Sequence, residues 1–149
     1  MKSKLGVALS VCLFAGLAQA QRLEFTNPDE MSTPESYTHV VRAGNLLFIS
    51  GQTARTADGQ ILDVGMKEQL EQVMINLTTA LQSQGADITS VAKITTYVTS
   101  MHEYRKPEVA AVRTKYFGNH KPASTLVEIV RLANPAYKVE VEAIAVLPQ

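Results

Sequence analysis

The sequence has 149 residues, 14 Lys and Arg against 14 Asp and Glu, one Cys and no Trp. It contains no run of five or more basic residues, so the electrostatic footprint of a nucleic-acid binder is missing and nucleic acid is not an expected partner. One cysteine cannot build a disulfide framework or a cysteine-based metal site.

Residues 1–20, MKSKLGVALSVCLFAGLAQA, carry Lys2 and Lys4, then an apolar run from Leu5 to Leu17, then Ala18-Gln19-Ala20. That is the layout of a cleaved signal peptide. The apolar run falls short of the roughly 20 residues that a bilayer-spanning helix needs. The expectation is export to a bacterial periplasm, no membrane association after cleavage, and one domain over residues 21–149. Cys12 would leave with the leader, and loss of Lys2 and Lys4 leaves 12 basic against 14 acidic residues.

A short strand is expected near Leu23–Phe25, followed by a polar loop. Residues 37–52, YTHVVRAGNLLFISGQ, read as a hairpin turning at Ala43-Gly44-Asn45, because Gly and Asn tolerate the positive φ of tight turns. Residues 53–63 read as loop, with a turn at Asp58-Gly59. Leu70, Val73, Met74, Leu77 and Leu81 recur at helical spacing and predict a helix that starts at Asp63 or Gly65 and stops at Gly85. Asn76-Leu77-Thr78 matches a glycosylation sequon but falls in mid-helix, so it is discounted.

Residues 91–100, VAKITTYVTS, alternate and predict a strand. Residues 101–118 read as a loop and then a second helix, with Pro107 in its first turn and Val109, Val112, Tyr116 and Phe117 facing inward. Thr125–Val130 and Lys138–Val146 are the last two predicted strands. The order β, β, β, α, β, α, β, β with two hairpins implies an α+β domain, a mixed sheet with two helices packed on one face. The other face would carry Thr95, Tyr97, Glu128, Glu140 and Glu142, a polar set that suits an oligomer with a wet interior.

Three stretches taken together, AGNLLFISGQ (43–52), QLEQVMINLTTALQSQGADITSVAKITTYVTS (69–100) and PASTLVEIVRLANPAYKVEVEAIAV (122–146), resemble the RidA/YjgF family of small trimeric proteins, and the resemblance runs from about Tyr37 to Val146. It implies a chorismate-mutase-like homotrimer with small-molecule sites at the subunit interfaces and no cofactor. The reaction it implies is hydrolysis of reactive enamines and imines, such as 2-aminoacrylate, to 2-keto acids and ammonia.

The resemblance also implies site residues. Glu142 matches the closing-strand glutamate that positions or activates water, and Tyr37 matches a site tyrosine. Ser50 and Gly51 match the strand end that lines the pocket. Ser124 falls where the family has an arginine that holds the substrate carboxylate. A serine hydroxyl offers one neutral hydrogen bond in place of a charge-assisted, bidentate grip, so activity on amino-acid-derived imines is in doubt. Arg131 is the nearby substitute, unless it pairs with Glu128.

Glu140 and Glu142 leave the same face of one strand, and two such charges, if partly buried, raise each other's pKa. His39, His102 and His120 show no metal-ligand spacing, and no G-x-S-x-G elbow occurs. Besides a hydrolytic deaminase, two readings stay open: a non-catalytic small-molecule-binding trimer and a periplasmic holdase.

Overall fold

The computed structural model describes residues 22–147; the expected signal peptide lies outside them. The strands are β1 (Leu23–Thr26), β2 (Val40–Ala43), β3 (Leu46–Gln52), β4 (Val91–Val98), β5 (Ala123–Glu128) and β6 (Val139–Val146). The helices are α1 (Met66–Gln82), α2 (Met101–Tyr104) and α3 (Pro107–Phe117). The strands form one six-stranded sheet in the order β1-β2-β3-β6-β4-β5. The β4–β5 pair is parallel and the other four pairs are antiparallel. This is the expected mixed-sheet α+β fold.

Local chemistry explains the elements. Gly44 takes φ +62° in the β2–β3 turn, a conformation cheap only for glycine. α1 starts after Gly65 and buries Leu70, Val73, Met74, Leu77 and Leu81, the residues whose spacing predicted it. It ends as expected before Gly85, which adopts φ +70° while Ala86 N–H donates to the Leu81 carbonyl. Pro107 opens α3, and Val109, Val112 and Phe117 are buried there, with Tyr116 partly buried against the core.

Alternation sets the two sheet faces. On β6, Val139, Val141, Ala143 and Ala145 are buried, while Glu140, Glu142, Ile144 and Val146 face the other way. The first set packs with α1 into the core. The helix-free face is more apolar than expected: Leu46 lies beside Val146 and Phe48 beside Ile144.

Three expectations are corrected. Residues 101–104 form a helical turn where a loop was expected, because Ser100 caps it, its Oγ accepting from Glu103 N–H at 3.2 Å. β5 runs from Ala123 to Glu128 and not from Thr125 to Val130, because its ladder with β4 starts at Lys93–Ala123 and ends at Val98–Glu128. That register also moves Glu128 off the helix-free face, since its partner Val98 is buried in the core. Glu128 makes no ion pair with Arg131 among the described residues; its carboxylate accepts from Met101 N–H at the start of α2.

Candidate active site

The sheet is irregular where the site forms. Ile49 pairs with Ala143 and Gln52 with Val141, so Ser50 and Gly51 together oppose the single residue Glu142. An extra residue of this kind is a β-bulge, which bends the strand and re-aims nearby side chains. Ser50 Oγ donates to the Thr38 carbonyl at 2.6 Å, and Ser50 N–H donates to the His39 carbonyl at 3.0 Å. The bulge thereby ties down the segment that carries Tyr37. His39 is buried, contacts the Ser32 carbonyl through Nε2 at 2.9 Å and packs edge-on to the Tyr37 ring, with centroids 5.6 Å apart.

Tyr37, Ser50, Gly51, Arg55, Tyr137 and Glu140 line one cleft of about 450 Å³. The Glu140 carboxylate lies over Gly51 so closely that a methyl group there would overlap its Oε1. Burial pushes the Glu140 carboxyl above the usual range, and the charge of Glu142 adds to the effect. Burial also raises the Tyr37 hydroxyl; Arg55 opposes that shift, and Tyr137 and Glu140 reinforce it. A carboxyl displaced upward in a cleft that it shares with a tyrosine marks a candidate site for acid–base chemistry.

The site residues expected from the sequence are only partly brought together. Tyr37, Ser50 and Gly51 share the cleft with Glu140. Glu142 lines a neighbouring hollow of about 290 Å³ with Ser50, Lys93 and Thr95. Ser124 lines neither. Its register partner is Ile94, whose side chain is buried in the core, so Ser124 leaves the sheet on the helix side, opposite to both glutamates. Arg131 is exposed and also outside both hollows. Arg55 and Tyr137 were missed altogether. The signal for Arg55 was its place just past the pocket-lining strand end, in SGQTAR. His120 contacts the Val91 carbonyl at 2.7 Å and stacks on Phe117, while His102 is exposed on α2. No group of three or more His, Cys, Asp or Glu that could hold a metal ion occurs among the described residues.

Asn76, the discounted sequon residue, is buried and donates from Nδ2 to the Thr53 and Arg55 carbonyls at 3.0 and 2.8 Å. Both of its amide hydrogens are engaged in pinning the wall of the cleft.

Residues 28–147 match the family model described as endoribonuclease L-PSP. The chain belongs to this family, the RidA/YjgF proteins. A RutC family protein of Pyrococcus horikoshii is 36% identical over 110 residues, which are 73% of this chain and 85% of that protein. A 2-iminobutanoate/2-iminopropanoate deaminase of Bos taurus is 31% identical over 111 residues, 74% of this chain and 79% of that one. The crystal structure of yeast Mmf1 superposes with a TM-score of 0.77 at 26% identity, over 85% of this chain and all of that one. The mixed sheet with its helices on one face is thus a RidA/YjgF fold.

Gly51 gives a direct test of the cleft. In this RidA/YjgF chain Gly51→Ala is expected to displace the Glu140 side chain, because the added carbon meets its Cγ and Cδ as well as its Oε1. Misplacing a reacting group by about 1 Å costs on the order of 10²-fold in rate. The melting temperature should stay near that of the wild type, since a flexible side chain gives way and no backbone has to. Turnover paired with a thermal melt checks both halves.

Proposed function

We propose that this RidA/YjgF protein is an exported homotrimer that hydrolyses small enamines or imines to carbonyl compounds and ammonia, with Glu140 and Tyr37 as its reacting groups. The observation that carries this reading is the Glu140 carboxyl, packed over Gly51, raised by burial and sharing its cleft with Tyr37. The printed activity of the Bos taurus relative, a deaminase of 2-imino acids, is of the same class.

The chemistry needs few groups. An enamine such as 2-aminoacrylate takes a proton from solvent on carbon and becomes an iminium ion with an electrophilic C=N carbon. Glu140, as carboxylate, accepts a proton from water while the oxygen bonds to that carbon. The resulting carbinolamine loses ammonia as Glu140 returns the proton to nitrogen and the hydroxyl proton passes to solvent, replacing the one taken up on carbon, and the 2-keto acid remains. One water enters and one ammonia leaves. A carboxyl whose pKa lies above the usual range is a stronger base than an ordinary glutamate, and a larger share of it is protonated near neutral pH. Tyr37 hydrogen-bonds the substrate or the water, and the polar backbone at Ser50-Gly51 lines the approach.

Assembly is supported by the helix-free face. Leu46, Phe48, Val127 and Val146 are each more than a third exposed there, a set that a subunit contact would cover. The 1–20 leader pattern supports export.

The test measures keto acid and ammonia released from enzymatically generated 2-aminoacrylate, on residues 21–149 and on Ser124→Arg side by side, with the mass in solution measured on the same samples. The expected results are a trimer mass and turnover above the spontaneous rate by the unsubstituted chain, with little gain from the added arginine, because residue 124 lies outside the cleft. Turnover by neither protein would remove the hydrolase reading in favour of a non-catalytic binding trimer.

A further inference from the structure

We infer that Arg55 is the anion anchor of the cleft, holding the carboxylate of an acidic substrate. This deepens the hydrolase reading and rests on the same cleft. Arg55 is a cation that lines the hollow shared by Tyr37 and Glu140. Its guanidinium is held by neutral groups: Nε donates to the Tyr137 hydroxyl at 3.3 Å and one terminal nitrogen donates to the Gly59 carbonyl at 2.7 Å. No Asp or Glu forms an ion pair with it among the described residues.

A guanidinium has five N–H donors, and these two bonds use two of them. The full positive charge and the remaining donors are left for a ligand. Glu140 does not neutralise Arg55, although both line the same cleft, so a bound 2-imino acid can present its carboxylate to Arg55 and its C=N carbon toward Glu140.

The position is built in advance. The Arg55 carbonyl accepts from the buried Asn76 of α1, its backbone bridges to Ile61, and the turn at Asp58-Gly59 closes the loop with Gly59 N–H donating to the Thr56 carbonyl. Gly59 adopts φ +84° there. A fork fixed in this way loses less freedom on binding than a mobile side chain.

The experiment titrates the trimeric protein, labelled with ¹⁵N-arginine, with 2-ketobutyrate and separately with its neutral primary amide, following the arginine Nε–H resonances. Arg55→Gln and Arg55→Lys are titrated in parallel, each first checked by thermal melt. The expected result is that one resonance, absent from Arg55→Gln, shifts with the acid. The wild type should bind the acid about tenfold more tightly than the amide, the difference between a charged and a neutral hydrogen-bonded partner. Arg55→Gln should lose that preference and Arg55→Lys should keep part of it.

Equal affinity of wild type for acid and amide, binding of neither, or an acid preference surviving in Arg55→Gln would each overturn the anchor. If Arg55→Gln does not fold, Arg55→Lys decides alone, and an undiminished preference there counts against the fork. A preference that depends on Arg55 in a protein without turnover would support the anchor and sink the hydrolase reading, so the two failures are distinguishable.

Discussion

Glu140→Gln is expected to lower turnover of 2-aminoacrylate by about 10²-fold or more, the usual worth of a positioned acid–base group, while Glu142→Gln retains most of it. The contrast follows from where the two carboxylates stand. Glu140 lies over Gly51 in the cleft with Tyr37, whereas Glu142 lies in the adjoining hollow beside Lys93 and Thr95. Glu142 is expected to act only through its charge, which helps to hold the Glu140 carboxyl up. Glu142→Gln should therefore move the acid limb of the pH–rate profile to lower pH.

Stability moves the other way from activity. The folded chain holds the Glu140 proton to higher pH than the unfolded chain, whose carboxyl titrates near 4.5. Between that value and the raised folded value the folded state binds more protons, so stability falls as pH rises through this window. Above it the penalty is complete. Glutamine carries no such penalty, so Glu140→Gln should be at least as stable as the wild type at neutral pH. Steady-state rates and urea melts of the two variants check both statements. An active Glu140→Gln with an inactive Glu142→Gln would reverse the assignment.

Gln69→Leu is expected to destabilise the fold by about 3 kcal/mol or more. Gln69 is fully buried on α1, where Nε2 donates to the Leu62 and Ala136 carbonyls at 2.8 and 2.7 Å and Oε1 accepts from Lys138 N–H at 2.7 Å. Leucine fills similar space but leaves three backbone groups without partners. Each buried unsatisfied group costs about 1–3 kcal/mol, against a total stability of roughly 5–15 kcal/mol for a domain. The three bonds tie α1 to the segment before it and to the segment that carries Tyr137, the residue bonded to Arg55. Activity below the melting temperature should fall as well. An unfolding free energy from urea melts within about 1 kcal/mol of the wild type would mean that water replaces these bonds.

The fold was largely legible because its signals are local. The 3.6-residue recurrence of Leu70, Val73, Met74, Leu77 and Leu81 and the alternation of β6 each report one element, and Gly44-Asn45 reports one turn. The site was legible only up to the point where long-range geometry takes over. Period-2 alternation puts Glu140 and Glu142 on one face and cannot choose between them. Their different surroundings, Glu140 over Gly51 in one hollow and Glu142 in the next, exist only once β3 and β6 pair. Glu128 was assigned to the wrong face for a related reason: nothing in its own stretch reveals that it pairs in parallel with Val98. Arg55 sits in a loop that reads as generic from sequence, and the contact that fixes it, to Asn76 on α1, spans 21 residues.

The most direct test of a hydrolytic cleft built around a displaced carboxyl is the pH dependence of kcat/KM for catalysed keto-acid release by the wild-type protein, with the spontaneous reaction subtracted. An acid limb with an apparent pKa above 4.5, the ordinary value for this carboxyl, and absent from the residual activity of Glu140→Gln, is the expected result. A profile that stays level through and below that value, or the same limb persisting in Glu140→Gln, would contradict it.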